Sequence, residues 1–228
     1  MTSRQTAQIS SRKQPKQARS TELVAAILEA ATQVLAKEGA TRFTTARVAE
    51  KAGVSVGSVY QYFPNKAAIL FRLQSDEWQQ TTHMLRAILN DTHKPPLERL
   101  RELVHAFIHS ECEEAQMRTA LSDAAPLYRD APEAQEVRTA GEQIFQTFML
   151  ELLPGVAEAA CSLACDLILT TLSSVGKDFS TSPRTPSQIT EYADAMADMF
   201  SAYATALTSH DILSKSLKAS RSVKKMKL

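Results

Sequence analysis

The sequence predicts an all-α protein, and three observations carry that prediction. Glycine is scarce, six in 228 residues, while the residues that lose least on entering a helix (Ala, Leu, Glu, Gln and Met) are plentiful. Apolar residues recur at i, i+3, i+4 and i+7 in one segment after another. Runs rich in Val, Ile, Thr and Tyr with turn signals every eight to twelve residues or so, the mark of a β-sandwich, are absent. Hydrophobic residues make up 44% of the chain, enough for a substantial core.

Residues 1–18 are polar, basic and rich in Ser and Gln, and are expected to be disordered in isolation. From Ser20 to Lys37 the stripe Leu23, Val24, Ile27, Leu28, Ala31, Val34 and Leu35 predicts an amphipathic helix, with Gly39 placed for a left-handed C-terminal cap. Two very short helices follow. Thr44 can cap the first, with Phe43 and Val48 arranged as a hydrophobic staple, and Ser55 can cap the second, with Val54 and Val59 repeating the staple. Gly53 separates the two. After Pro64, Asn65 can cap a long helix from Lys66 to Leu89 whose middle, Gln74 to Thr82, is polar except for Trp78. Helical pieces continue over 97–114, 115–123 and 133–153, with 124–132 as a connector. The more uniformly apolar Val156–Val175 comes next, then a Ser/Thr/Pro loop over Gly176–Pro186, then a last helix Ser187–Leu207. The total is about nine helices.

Two helices of about two turns, joined through a glycine beside a longer first helix, form a trihelical helix-turn-helix unit. The turn needs a residue tolerant of positive φ, which Gly53 supplies. The first short helix must bury Val48 and Ala49, and the second Val59 and Phe63. The face left to the second helix is Val56, Gly57, Ser58, Tyr60, Gln61 and Tyr62, in which Ser and Gln can read base edges and Val can meet a thymine methyl. The segment from Phe43 through Lys66, FTTARVAEKAGVSVGSVYQYFPNK, resembles the DNA-binding signature of the TetR family over its whole length, and the resemblance covers about residues 20–70. Beyond it the chain is similar only in the order and length of its helices.

The resemblance implies roles position by position. Thr44, beside Thr45, matches a capping threonine that meets a phosphate, Tyr62 an aromatic that reaches the DNA backbone, and Lys66 a lysine on phosphate. Arg47 sits at a helix N-terminus, where its charge opposes the dipole, so it is either a phosphate ligand or a solvated arginine. Tyr60 is either part of the reading face or packed against the first helix. A DNA-binding set of Thr44, Thr45, Arg47, Ser55, Val56, Gly57, Ser58, Tyr60, Gln61, Tyr62 and Lys66 follows. One such unit reads few base pairs, so a homodimer on a palindromic double-stranded operator is expected. Its interface is expected on 156–175 and 187–207, where Ala159, Ala160, Ala164, Ala195, Ala202 and Ala206 permit close approach. The resemblance further implies a repressor released by a small-molecule effector of unstated identity, with Trp78, His83, Met84, Phe107, Met117, Phe145, Phe148 and Met149 as candidate pocket residues. The organisation expected is a basic arm (1–19), a helix-turn-helix domain (20–65), an effector-binding and dimerisation domain (66–210) and a basic tail (211–228).

Charge fits this division. Residues 1–20 carry five bases and residues 214–228 six, neither with an acid, so all 25 acids lie between them against 15 bases. Arg12, Lys13, Lys16 and Arg19 could enter a minor groove or simply solubilise the arm. No apolar run of ~18 residues is read in the sequence, which excludes a membrane span, and the start lacks a signal-peptide core, so a cytoplasmic protein without a membrane partner is expected. Three cysteines without framework spacing fit a reducing compartment. His105 and His109 lie one turn apart but no metal or nucleophile motif accompanies them, so no catalytic residue, metal or cofactor is expected. A redox-responsive regulator is the rival reading; Cβ atoms four residues apart on a helix, about 6 Å, exceed the ~3.8 Å a Cys161–Cys165 disulfide wants, which leaves a bridge across the dimer or to Cys112. A DNA-binding protein without an effector is a third.

Overall fold

The computed structural model of the chain describes residues 9–10 and 18–225. The described residues form α1 (Ala18–Arg42), α2 (Thr45–Lys51), α3 (Val56–Tyr62), α4 (Lys66–Leu89), α5 (Pro96–Glu113), α6 (Ala115–Ala124), a 3₁₀ turn at Ala125–Leu127, α7 (Pro132–Leu152), α8 (Glu158–Ser180) and α9 (Pro186–Lys225), with no strand among them. Arg12, Lys13 and Lys16 of the expected basic arm lie outside the described residues, as does Lys227 of the tail.

The chain divides into two compact units, residues 1–82 with 114–141 and residues 83–113 with 142–228, so that the division falls within α4 and within α7. In the first unit the α1 stripe buries Val24, Ile27, Ala31, Val34 and Leu35 together with Phe43, Val48, Val59, Phe63, Ile69 and Leu70. Leu121, Ala124 and Tyr128, from α6 and just beyond it, complete the same core. Gly39 has the expected positive φ of 72°, but its ψ of 171° is extended rather than left-handed helical, so it kinks the helix and a further turn runs on to Arg42. Asn65 caps α4 as expected, accepting from the Ala68 amide at 2.9 Å.

The polar middle of α4 finds its explanation in α6. Gln74, Glu77 and Thr81 recur at i, i+3 and i+7, one face of a helix. The Arg118 guanidinium, from α6, donates to Glu77 Oε1 at 2.6 Å, and Thr81 and Gln74 donate to the same carboxylate at 3.1 and 3.2 Å. The Tyr128 hydroxyl donates toward the Leu121 carbonyl at 3.0 Å and Gln74 Oε1 at 3.3 Å. Burial first and the nearby Glu77 charge second push the Tyr128 phenol well above its ordinary range, so it stays a donor.

The second unit packs α5 against α8 and α9 around Leu100, Leu103, Val104, Ile108, Phe145, Phe148, Met149, Ile168, Leu172, Met196 and Phe200. Its largest buried side chain is charged. Arg99, 1% exposed, donates to the Leu89 carbonyl at 2.6 Å, one of the α4 C-terminal oxygens without an intrahelical partner. It also forks onto the Glu151 carboxylate and lies 5.4 Å from the Phe148 ring centroid.

Three expectations are corrected here. The Gly176–Pro186 loop shrinks, because α8 runs on to Ser180. Gly176 does not stop the helix; a Cβ on it would sit 3.2 Å from both Ile108 Cδ1 and Phe107 Cε1, so its lack of a side chain lets α5 approach. Phe179, in the added turn, stacks on Tyr192 at 3.9 Å between centroids, and the Arg184 guanidinium lies 4.5 Å from the Phe179 centroid. The last helix does not end at Leu207 but continues to Lys225. Finally, α8 is long and apolar enough, by length and composition, to cross a membrane, with mean hydropathy 1.5 over 18 residues. Its Cys161, Ala164, Cys165, Ile168, Leu172 and Gly176 are nevertheless buried in the second core.

The Gly176 contact makes a graded prediction. Gly176→Leu should cost about 1–3 kcal/mol by overpacking. Gly176→Ala should come out near neutral, because the ~1 kcal/mol gained in helix propensity offsets a small shift of two side chains. Chemical unfolding of the two variants reads the difference.

Candidate nucleic-acid interface

The two short helices are built by their caps. Thr44 is extended, φ −136° and ψ 150°, and its hydroxyl accepts from the Arg47 amide at 3.3 Å. Ser55 does the same for α3, accepting from the Ser58 amide at 3.0 Å, while its hydroxyl also lies 2.8 Å from that of Ser58. Between them Gly53 turns the chain at φ 68°, and the Val54 amide closes back on the Ala49 carbonyl at 3.0 Å. Ser55→Ala should therefore cost the first unit about 1 kcal/mol, read as a lower urea midpoint.

The face that results is narrower than the sequence suggests. Val56 and Tyr60 are exposed, at 39% and 42%, and so are Gly57 and Gln61. Ser58 is half-buried, and its hydroxyl is already engaged with that of the capping Ser55. Tyr62 corrects the expected exposed face: it is 6% exposed and belongs to the first core, so Tyr60 is the aromatic that α3 presents. The reason is helical phase, since Tyr62 falls three residues after the buried Val59. Thr45, 8% exposed, also turns inward, while Thr44 is exposed and Lys66 half-buried at the start of α4.

Arg47 is neither a lone solvated arginine nor without a counter-ion. It pairs with Glu38, which lies just before the α1 kink. That pairing joins residues in two different helices, so no local pattern could reveal it.

The other candidate residues separate. Trp78 and Met117 pack against the first core, and Phe107, Phe145, Phe148 and Met149 against or within the second. Met84 is half-buried and His83 exposed. On α8 and α9 the expected contact face is open in part: Leu163 is 64% exposed, Leu167 49% and Met199 51%, and Ala159, Ala195, Ala202 and Ala206 are exposed, whereas Ala164 is buried. Cys161 and Cys165 are buried and not joined in a disulfide, and burial raises the Cys161 thiol pKa. Cys112 is half-buried and raised mainly for the same reason. His105 Nε2 lies 3.1 Å from Asp194 Oδ1, and Arg101 spans Asp194 and Asp198 beside it.

Comparison with known proteins decides the family. The model of bacterial regulatory proteins of the tetR family matches residues 27–73, and that of the tetracyclin repressor-like C-terminal domain matches residues 95–207. The chain belongs to the TetR family. Among relatives of this TetR-family chain, the nucleoid occlusion factor SlmA of Vibrio campbellii is 37% identical over 83 residues, covering 36% of this chain and 42% of SlmA. The HTH-type transcriptional regulator TtgR of Pseudomonas putida is 36% identical over 80 residues, covering 35% and 38%. The matched part thus spans about two-fifths of those relatives' length. Among solved structures, the fatty acid degradation regulator FadR of Bacillus halodurans superposes with a TM-score of 0.62 at 19% identity, over 82% of this chain and 96% of that one. FadR of Bacillus subtilis, solved in complex with stearoyl-CoA, gives 0.60 at 16% identity over 78% and 97%. These likenesses establish a TetR-like fold along most of the chain.

Proposed function

We propose that this TetR-family chain is a dimeric, sequence-specific DNA-binding transcription regulator, a repressor that leaves a palindromic operator when a small molecule binds. The observation that carries the reading is α3: a capped two-turn helix, anchored through Val59, Tyr62 and Phe63, that offers Val56, Gly57, Tyr60 and Gln61 outward. Gln61 suits bidentate contact with an adenine edge, and Val56 a thymine methyl. Thr44, Arg47, Tyr60 and Lys66 supply the phosphate contacts, with Arg47 exchanging Glu38 for phosphate. Residues 20–65 form the reading head of a cytoplasmic protein, and residues 66–210 carry effector binding and dimerisation.

The dimer forms through α8 and α9, whose exposed Leu163, Leu167 and Met199 stand among exposed alanines. Within the second core, Phe107, Phe145, Phe148 and Met149 favour an apolar effector. The stearoyl chain of the stearoyl-CoA in the Bacillus subtilis FadR structure is of that character, whereas its CoA head is polar and anionic. A redox response fits less well, because a buried thiol with a raised pKa is a poor thiolate.

Selection of bound sequences from a random duplex pool tests the reading, followed by titration of two variants on the selected site. Gln61→Ala should relax preference at one base pair, at a cost of about 1–3 kcal/mol. Lys66→Ala should weaken all sequences alike and lower the salt slope by about 1 per protomer. A pool without enrichment, or unchanged affinity in both variants, overturns the assignment.

A further inference from the structure

We infer that Arg118 and Glu77 are a positioning pair for the DNA-reading head: they hold α6 in one register on α4, and α6 in turn sets how α1 is packed. All parts of this device lie in the first unit. α6 is short, ten residues, and has no side-chain cap at its N-terminus. A helix of that length takes its stability from what it packs on. One of its partners is α1, the helix that buries the helix-turn-helix core, and Leu121 and Ala124 belong to that core.

The polar link to α4 is unusually complete. The side chains of Glu77 and Arg118 are only 12% and 16% exposed. The carboxylate accepts from Arg118, Gln74 and Thr81, and Arg118 also reaches Glu114 Oε2 at 2.9 Å and Thr81 Oγ1 at 3.5 Å. A buried ion pair of this kind adds little stability over well-packed apolar side chains of similar size. What it adds is selectivity among arrangements. A slip of α6 by one residue would turn the guanidinium away from Glu77 and leave both charges buried without each other, whereas an apolar seam tolerates several registers. The contacts described for the pair lie within α4 and α6, so its influence on DNA would run through α6 and α1.

The test uses the full chain with Glu77→Leu and Arg118→Met together. The melting midpoint is expected to stay level or rise, while amide hydrogen exchange across α6 quickens at least tenfold and operator affinity falls at least tenfold. Glu77→Gln, which keeps shape and hydrogen bonds but cancels the charge, should move both readouts in the same direction by about threefold. It decides the matter if the double variant fails to fold. Unchanged exchange in α6 overturns the inference, and so does faster exchange with unchanged operator affinity, which would make the pair an internal brace. The affinity readout rests on the proposed regulator function. A wild-type chain with no operator would overturn that function separately, leaving the exchange result to judge the pair.

Discussion

Glu151→Ala, at a half-exposed carboxylate, is expected to destabilise the second unit more than Arg99→Met at its fully buried partner. The side chain of Arg99 is 2% exposed and that of Glu151 49%. Removing Glu151 strands a guanidinium in the core with the Leu89 carbonyl as its remaining hydrogen-bond acceptor, and such stranding costs about 3–5 kcal/mol. Removing the arginine instead returns a carboxylate to water, where it is readily solvated. Methionine then fills much of the space beside Phe148, and the main loss is the bond to the α4 terminus, about 1–3 kcal/mol. Urea midpoints compared at constant m give the order directly. The opposite order would mean that the guanidinium is better hydrated than its burial implies.

The second large effect concerns assembly. Leu163→Glu with Leu167→Glu should leave the protomer fold intact, because both residues are substantially exposed in a single chain, at 64% and 49%. In a two-fold dimer through α8 and α9 the change strikes four leucines. Each is worth about 1.5–3 kcal/mol when buried, and four carboxylates would be brought close together in their place. Sedimentation should therefore report a monomer at concentrations where the unaltered chain is dimeric. Affinity for a palindromic operator should fall at least a hundredfold, because one head reads only half the site. A variant that still sediments as a dimer places the interface elsewhere.

Which of these features a sequence can reveal follows from distance along the chain. The caps at Thr44, Ser55 and Asn65 and the positive φ at Gly53 depend on neighbours within four residues, and each is legible. The core stripe of α1 is equally local. Tyr62 turns inward against expectation because a seven-residue helix spans barely two turns, too few to fix the phase of its last residue. The polar middle of α4 had no sequence explanation, since Arg118 and Tyr128 lie 37 and 54 residues from Thr81 and Gln74. Gly176 misled for a related reason: its partners Phe107 and Ile108 are on α5, and scarcity of side chain reads as a break when the approaching helix is unseen. Of the candidate site, the α3 surface is visible in outline, but the Arg47–Glu38 pair, which joins two helices, is not.

The make-up of the first core bears on how far the reading head can be treated as a detachable cassette. Seven-residue helices have no independent stability, so α2 and α3 persist only on a finished core. That core draws on Ile69, Leu70 and Phe71 from α4 and on Leu121, Ala124 and Tyr128 from beyond residue 114. A fragment cut at residue 65 would therefore carry the reading residues without much of the surface that shapes them. Chimaeras that graft this specificity onto another regulator need to transplant α6 and its flanks along with the head, two stretches of sequence rather than one.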